Sequence, residues 1–119
     1  MGYIVSYAAP VMPGKDDRVR NFEQELKDQG LWEDYLELNR NATVTRHAMW
    51  VQENPDGSTL AINFMEVDDP TAVGREFGDT PYDRYWTGFL SDVHGFPNLT
   101  GVPLDQMPTP PPLVFEWQA

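Results

Sequence analysis

The sequence predicts an α+β fold with the element order βαββαβ, because β-rich runs and helical periods alternate along the chain in that order. The first β-rich run covers residues 3–8, and two more cover residues 43–52 and 58–67. The turn-forming residues 53–57 separate the second and third runs, so these two runs are expected to form a hairpin. The last β-rich run covers residues 113–117 and completes a set of four strands.

The first helical region is indicated by apolar residues that recur at the spacing of one helix face. Val19, Phe22 and Leu26 lie three and four positions apart, which is the period of an α-helix. Gly30 interrupts this period, which then resumes over residues 31–39. We therefore expect a kink or a second short helix at this point.

Further helical sequence lies between the hairpin and the last strand. Asp69 and Pro70 suit the N-cap and first turn of a short helix that ends before Gly78. Pro81 begins a better-defined helix, capped by the residues before it, and Gly95 ends it. The apolar stripe of this helix consists of Tyr82, Tyr85, Trp86, Phe89, Leu90 and Val93.

The segment that follows this helix, residues 97–112, contains six prolines. Proline favours an extended backbone and loses few conformations when it docks. We expect this segment to run along the outside of the domain and to pack over a neighbouring chain or the mouth of a pocket.

The composition of the chain favours a packed globule. Its 119 residues suffice for a single domain over residues 1–119, and 40% of them are hydrophobic. The formal net charge of −11 would repel phosphate backbones and anionic lipids, so we expect no nucleic-acid partner and no membrane partner. No apolar run is long enough to span a bilayer and the first residues lack a secretory pattern, so a cytoplasmic protein is expected.

The order βαββαβ is that of the ferredoxin-like fold, in which two helices cover one face of a four-stranded antiparallel sheet. The other face of such a sheet is bare, and a second copy of the chain is its simplest partner. The sequence therefore predicts a homodimer.

This arrangement resembles the dimeric α+β barrel superfamily in its element order, its length, its aromatic second helix and its late strand. More narrowly, the stretches TVTRHAMWVQENPDGSTLAINFMEVDDP and TPYDRYWTGFL are similar to a group of small bacterial domains of unassigned function. The superfamily includes cofactor-independent monooxygenases, haem-degrading enzymes, lactone isomerases, polyketide cyclases and non-catalytic ligand-binding modules. The resemblance implies a fold and a dimer, and it leaves the chemistry open.

The hairpin register determines which residues share a face of the sheet. Pairing Glu53 with Ser58 would place His47 opposite Phe64, among apolar residues that suit packing under the helices. The other face would then line a cavity within the barrel. Its predicted members are Arg46, Ala48, Trp50, Ala61, Asn63 and Met65.

Four residues are candidate catalytic groups, and each has a structural alternative. Arg46 would hold a substrate carboxylate or enolate, or else pair with an acidic residue of the partner chain. His47 would act as a general base, or else be a satisfied core histidine. Asn63 is disfavoured by propensity in a central strand, which is typical of a functional site. His94 suits a contact with the C-terminal end of its helix dipole, and its place beside the proline-rich segment keeps a catalytic role open.

Five residues are candidates for substrate binding. Trp50 and Met65 belong to the predicted cavity face. Tyr82, Tyr85 and Trp86 most simply pack the later helix on the sheet, but two adjacent aromatic residues cannot both lie on the buried stripe. One of them would then line the mouth of a pocket.

The sequence offers few residues for a metal or a cofactor. It has no cysteine, and its two histidines are not at the spacing of a zinc site. It also lacks a glycine-rich phosphate loop and a nucleotide fingerprint. We therefore expect no metal and no cofactor, with haem bound by His47 or His94 as an alternative.

Together these patterns predict a homodimeric barrel that binds a small molecule. As an enzyme it would be a cofactor-independent isomerase, cyclase or monooxygenase that acts on an apolar, carbonyl-bearing metabolite through proton abstraction and enolate stabilisation. The alternative is a non-catalytic ligand-binding or interaction module. A pocket that solvent reaches, with Arg46, Asn63 or a histidine pointing into it, would favour the enzyme.

Overall fold

The computed structural model describes residues 2–72, 80–96, 114–117 and 119 of the chain. Over these residues the fold is α+β, with helices packed on one face of a three-stranded antiparallel sheet. The elements in chain order are β1 (Tyr3–Pro10), α1 (Asp16–Arg20), α2 (Phe22–Asp28), α3 (Trp32–Asn41), β2 (Val44–Glu53), β3 (Thr59–Val67) and α4 (Pro81–His94).

The strand order is β1-β3-β2, and β3 pairs antiparallel with both of its neighbours. The predicted fourth strand, residues 113–117, is not confirmed, since its described residues, 114–117, lie outside any strand. Val114, Phe115 and Trp117 are exposed there. The proline-rich segment, residues 97–112, lies outside the described residues.

The helices follow the local sequence rules. Gly30 has a φ of 71° and separates α2 from α3, which confirms the predicted break in the helical period. Thr80 caps α4 through a capping box with Asp83, and Gly95 ends the helix with a left-handed φ of 73°. The predicted short helix after Asp69 begins as expected, because residues 70–72 are helical, and the rest of it lies outside the described residues.

The observed hairpin register differs from the predicted one by one residue. Glu53 pairs with Thr59 and not with Ser58. The reason is local: the Asp56 carboxylate accepts hydrogen bonds from both the backbone N–H and the hydroxyl of Ser58, at 2.9 and 2.6 Å. The backbone N–H of Asn54 also donates to the carbonyl oxygen of Ser58, at 2.9 Å. Ser58 therefore belongs to the turn, and β3 begins one residue later than predicted.

This shift changes the face of the β3 residues but not that of the β2 residues. His47 now lies opposite Met65, and Met49 lies opposite Asn63. His47 is under the helices as predicted, whereas Asn63 and Met65 are on the helix-covered face and not on the predicted cavity face with Arg46. The face away from the helices carries Ile4, Arg46, Ala48, Trp50, Leu60, Ile62 and Phe64.

The hydrophobic core lies between the helices and the helix-covered face of the sheet. Phe22 is at its centre, where its ring meets Phe89 edge-on at 5.5 Å between centroids and Trp86 at 5.8 Å. The fully or nearly buried members of the core are Val19, Phe22, Leu26, Tyr35, Leu38, Ala61, Tyr82, Phe89 and Val93.

A strained residue connects α3 to β2. Thr43 has a φ of 57°, a conformation that β-branched residues rarely adopt. The Thr43 hydroxyl accepts a hydrogen bond from the backbone N–H of Asp69 at 2.8 Å, and the Thr43 carbonyl accepts one from the N–H of Asp68 at 3.0 Å. These bonds tie the start of β2 to the segment that follows β3.

Candidate functional site

The histidine under the helices belongs to a chain of three hydrogen-bonded side chains. The His47 Nδ1 lies 2.6 Å from the Tyr35 hydroxyl, and the His47 Nε2 lies 2.8 Å from the Asn63 Oδ1. An amide oxygen only accepts hydrogen bonds, so Nε2 carries the proton and donates it to Asn63. Nδ1 is then the acceptor, and the Tyr35 hydroxyl donates to it.

Three elements bring these side chains together. Tyr35 is on the buried face of α3, one turn before Leu38. His47 and Asn63 are on the helix-covered face of neighbouring strands, in diagonal positions. Asn63 is only 8% exposed, so its hydrogen bond with His47 meets the requirement of a buried polar group.

Aromatic rings contact the His47 imidazole on the core side. Phe22 and Trp86 contact it edge-on, at 6.1 and 6.3 Å between ring centroids. Burial in this setting lowers the pKa of His47 below its ordinary value of 6.5, and the hydrogen bond with Asn63 opposes this effect. The imidazole is therefore neutral near pH 7 and able to accept a proton. Burial also raises the pKa of Tyr35, which keeps its hydroxyl protonated.

The imidazole forms part of the wall of a cleft of about 280 Å³ that is open to solvent. The cleft lies between the first three helices and the edge of β2 that pairs with none of the described strands. Its lining is mainly apolar and aromatic, with His47 and Tyr35 as polar groups and Glu23 as an ionised one. The lining residues are Val19, Phe22, Glu23, Trp32, Tyr35, His47, Ala48 and Met49.

The structure separates Arg46 from the other predicted catalytic residues. Arg46 is exposed on the face away from the helices, and its guanidinium carbon lies 5.5 Å from the centroid of the Phe64 ring. Trp50 is on the same face, 48% exposed, and contacts Phe64 edge-on. Met65 is on the opposite face. The predicted grouping of Arg46 with Asn63 and Met65 is therefore wrong, because the register differs from the predicted one by one residue.

His94 occupies a different part of the molecule. It is the last residue of α4, and its Nδ1 donates to the carbonyl oxygen of Pro10 at 2.6 Å. Its ring meets Tyr7 edge-on at 6.1 Å and Phe96 at 5.1 Å. It lies outside the cleft, so the two histidines of the chain do not form one site.

The aromatic residues of α4 pack the helix on the core. Tyr82 is buried and contacts the Tyr35 ring at 5.2 Å, and Trp86 stacks on Phe89 at 5.3 Å. Tyr85 lies beneath the Arg18 guanidinium, which forms ion pairs with the carboxylates of Glu25 and Asp92. None of Tyr82, Tyr85 and Trp86 belongs to the cleft lining.

Sequence patterns did not single out Tyr35, Trp32 or Glu23 as site residues. Tyr35 was recognised only as a member of the helical period. A tyrosine hydroxyl on a buried helix face needs a hydrogen-bond partner. This requirement could have predicted that Tyr35 contacts a polar residue of the sheet.

A second cleft, of about 240 Å³, lies between α3 and the start of α4. Its lining includes the carboxylates of Asp34 and Glu37. Among the described residues, no three or more His, Asp or Glu side chains are grouped so as to hold a metal ion. The described helices also include none with the length and apolar character needed to cross a bilayer.

Comparison with known proteins adds no relative: no protein-family model matches the chain, and no curated protein matches its sequence. The geometry around His47 is therefore the basis for a functional hypothesis.

Proposed function

We propose that the chain binds a small, mainly apolar molecule in the cleft beside His47 and acts on it as a cofactor-independent enzyme. The substrate would bear a carbonyl group, and His47 would remove a proton from the adjacent carbon. The observation that carries this proposal is the imidazole at the wall of an open, aromatic cleft, with its Nε2 directed at the Asn63 Oδ1.

Each of the three hydrogen-bonded side chains would have its own role in this reaction. The carbon–hydrogen bond breaks, its proton goes to the His47 Nδ1, and the electron pair moves to the carbonyl oxygen as an enolate. The Tyr35 hydroxyl, released from Nδ1, would donate a hydrogen bond to that oxygen. Asn63 would keep its hydrogen bond with Nε2 throughout, and so hold the ring in place. Isomerisation, cyclisation and oxygenation all follow from an enolate of this kind.

We also propose that the chain is a homodimer of the ferredoxin-like, dimeric α+β barrel type, with a fourth strand completing each sheet. The apolar face away from the helices supports this, because Ile4 is 55% and Trp50 48% exposed on it. Sedimentation at micromolar concentration tests the dimer. Trp50→Glu should convert it to a monomer, and Tyr3→Glu, an exposed position on the other side of the sheet, should not. A monomeric wild-type protein would refute this assembly.

The enzymatic proposal is tested by deuterium exchange. Enolisable ketones of different sizes are incubated with the protein in D₂O, and exchange at the α-carbon is followed by proton NMR. His47→Gln should lose the exchange, while His94→Gln, which changes the histidine outside the cleft, should keep it. Exchange that is lost with His94→Gln instead would move the site to the end of α4.

A non-catalytic module is the second candidate, and one observation favours it. Both ring nitrogens of His47 already have protein partners, as in a satisfied core histidine. Haem ligation by His47 would have to break one of these bonds, and the absorbance of the purified protein tests it. Ligand binding without α-carbon exchange on any ketone would favour the module.

A further inference from the structure

The cleft beside His47 has a lining that discriminates between ligand charges. None of its described lining residues is a lysine or an arginine, and Glu23 supplies a carboxylate. The nearby Lys27 ammonium is already engaged, because it lies 3.7 Å from the Glu23 carboxylate and 4.9 Å from the centroid of the Trp32 ring. An anionic ligand would therefore meet no unpaired cation among the described residues of the lining.

The apolar part of the lining favours a flat ligand. Phe22, Trp32 and Tyr35 belong to the cleft lining, and the Tyr35 ring packs on the other two at 5.9 and 5.3 Å between centroids. Aromatic side chains of this kind contact a planar ring over a large area in offset or edge-on geometry. The volume of about 280 Å³ suits a ligand smaller than a typical drug-sized molecule.

The polar part of the lining offers one acceptor of known geometry. The His47 Nδ1 accepts a hydrogen bond from the Tyr35 hydroxyl at 2.6 Å, so the wall of the cleft already holds a phenol against this nitrogen. Nε2 is directed at Asn63, so Nδ1 is the ring nitrogen left for a ligand that replaces the Tyr35 hydroxyl.

We propose that the cleft takes an uncharged, planar aromatic or enolic molecule whose hydroxyl group replaces the Tyr35 hydroxyl on the His47 Nδ1. This ligand class rests on the proposed function, since the enol of a carbonyl-bearing substrate presents the same group. It adds what that function leaves open: the shape and charge of the ligand, and the atom of the ligand that the protein recognises.

Three probes with the same ring system test this ligand class: 2-naphthol, 2-methoxynaphthalene and 2-naphthoate. Binding is followed by long-range proton–nitrogen correlation of the histidine rings in ¹⁵N-labelled protein, where the two histidines give few signals and His94→Gln assigns them. We expect 2-naphthol to shift the His47 nitrogens and not those of His94. The methyl ether cannot donate to Nδ1, so it should bind about tenfold more weakly, and the carboxylate should bind more weakly still.

Each other result would overturn the proposal. Equal affinity for the naphthol and its methyl ether would show that the hydroxyl is not recognised. Tighter binding of the naphthoate would indicate an unrecognised cation in the cleft. Shifts confined to His94, or no binding by 2-naphthol, would show that the cleft is not the site.

A variant comparison tests the role of Nδ1 directly. His47→Phe keeps a ring but has no acceptor, so the preference for 2-naphthol over its methyl ether should disappear, whereas His94→Gln should retain it. If His47→Phe does not fold, the comparison of the three probes on the wild-type protein still shows whether the ligand hydroxyl is recognised. Naphthol binding without α-carbon exchange would refute the proposed enzymatic function and support the ligand class. Exchange without naphthol binding would support the enzymatic function and refute the ligand class.

Discussion

Replacing Tyr35 with phenylalanine removes a single oxygen atom from the hydrogen-bond chain beside the cleft. The ring of Tyr35 packs on Trp32 and Tyr82 at 5.3 and 5.2 Å between centroids, and these contacts do not involve the hydroxyl. The change in the free energy of unfolding should therefore report the hydrogen bonds of the Tyr35 hydroxyl, which are the bond to the His47 Nδ1 at 2.6 Å and one with the Asn39 side chain.

The magnitude depends on what replaces the hydroxyl. A buried acceptor left without a partner costs about 1–3 kcal/mol, whereas an acceptor that water can reach loses only the net value of the bond, about 0.5–1.5 kcal/mol. His47 borders an open cleft, so water can reach Nδ1. We expect Tyr35→Phe to lower the free energy of unfolding by about 1 kcal/mol, which for a chain of this size lowers Tm by roughly 3–6 °C.

Urea denaturation measures this change, and Tyr85→Phe is the matched control. The Tyr85 hydroxyl is buried near the Glu25 carboxylate, and within the described part of the chain it makes no hydrogen bond of good geometry. Because removing a buried hydroxyl without a partner relieves its desolvation cost, Tyr85→Phe should not lower the free energy of unfolding. A second measurement is the pKa of His47, which should rise toward 6.5 in Tyr35→Phe because the neutral ring loses a hydrogen bond. If Tyr35→Phe is as stable as the wild type and leaves this pKa unchanged, the hydroxyl does not donate to His47.

Two further predictions concern pH and backbone strain. Burial lowers the pKa of His47 in the folded state, so its contribution to stability is complete above the unfolded value of 6.5 and is lost as pH falls through the lower folded value. Urea denaturation at about pH 7.5 and at about pH 5 measures this effect. Between the two pH values the free energy of unfolding should fall less for His47→Gln than for the wild type. An equal fall in both proteins would contradict a buried, neutral His47. Thr43 combines a strained φ with a hydrogen bond to Asp69, so Thr43→Asn should keep or raise Tm, because asparagine adopts this φ more readily and retains an acceptor. Thr43→Val keeps the strain but loses the acceptor, and calorimetry should show a loss of about 1–2 kcal/mol; equal Tm values for the two variants would refute this account.

Elements of the fold that depend on neighbouring residues could be predicted from the sequence. Gly30 breaks the helical period because it adopts a φ that other residues avoid. Thr80 and Gly95 mark the ends of α4 for reasons within four residues of each end. The hairpin itself follows from the turn residues between two β-rich runs.

The hairpin register could not be predicted, because it depends on one side chain. Counting Ser58 as a strand residue and counting it as a turn residue are both consistent with the pattern of β-rich residues. The Asp56 carboxylate decides between them by accepting two hydrogen bonds from Ser58. A difference of one residue then moves Asn63 and Met65 to the other face of the sheet.

The site was predicted only in part for a related reason. Alternation along β2 groups His47 with Met49 and Val51, and this apolar set suits packing under the helices, so the sequence predicts His47 on that face. Its hydrogen-bond partners come from a helix 12 residues away and a strand 16 residues away, so they depend on packing and not on local spacing. The tertiary arrangement also removed Arg46 from the group of candidates that line the cleft.

The choice between Arg46 and His47 as the residue beneath the helices has an electrostatic basis. An arginine stays charged at any pH that a protein meets, so a buried arginine needs an ionised partner, whereas a histidine can release its proton and be buried as a neutral ring. The partner at position 63 agrees with this, because an asparagine accepts from Nε2 without a charge. An aspartate there would favour the imidazolium and remove the free electron pair from Nδ1. Burial thus keeps His47 neutral, while Asn63 fixes its tautomer without supplying a charge. Asn63→Asp should raise the pKa of His47 and weaken any reaction or ligand that depends on Nδ1 as an acceptor.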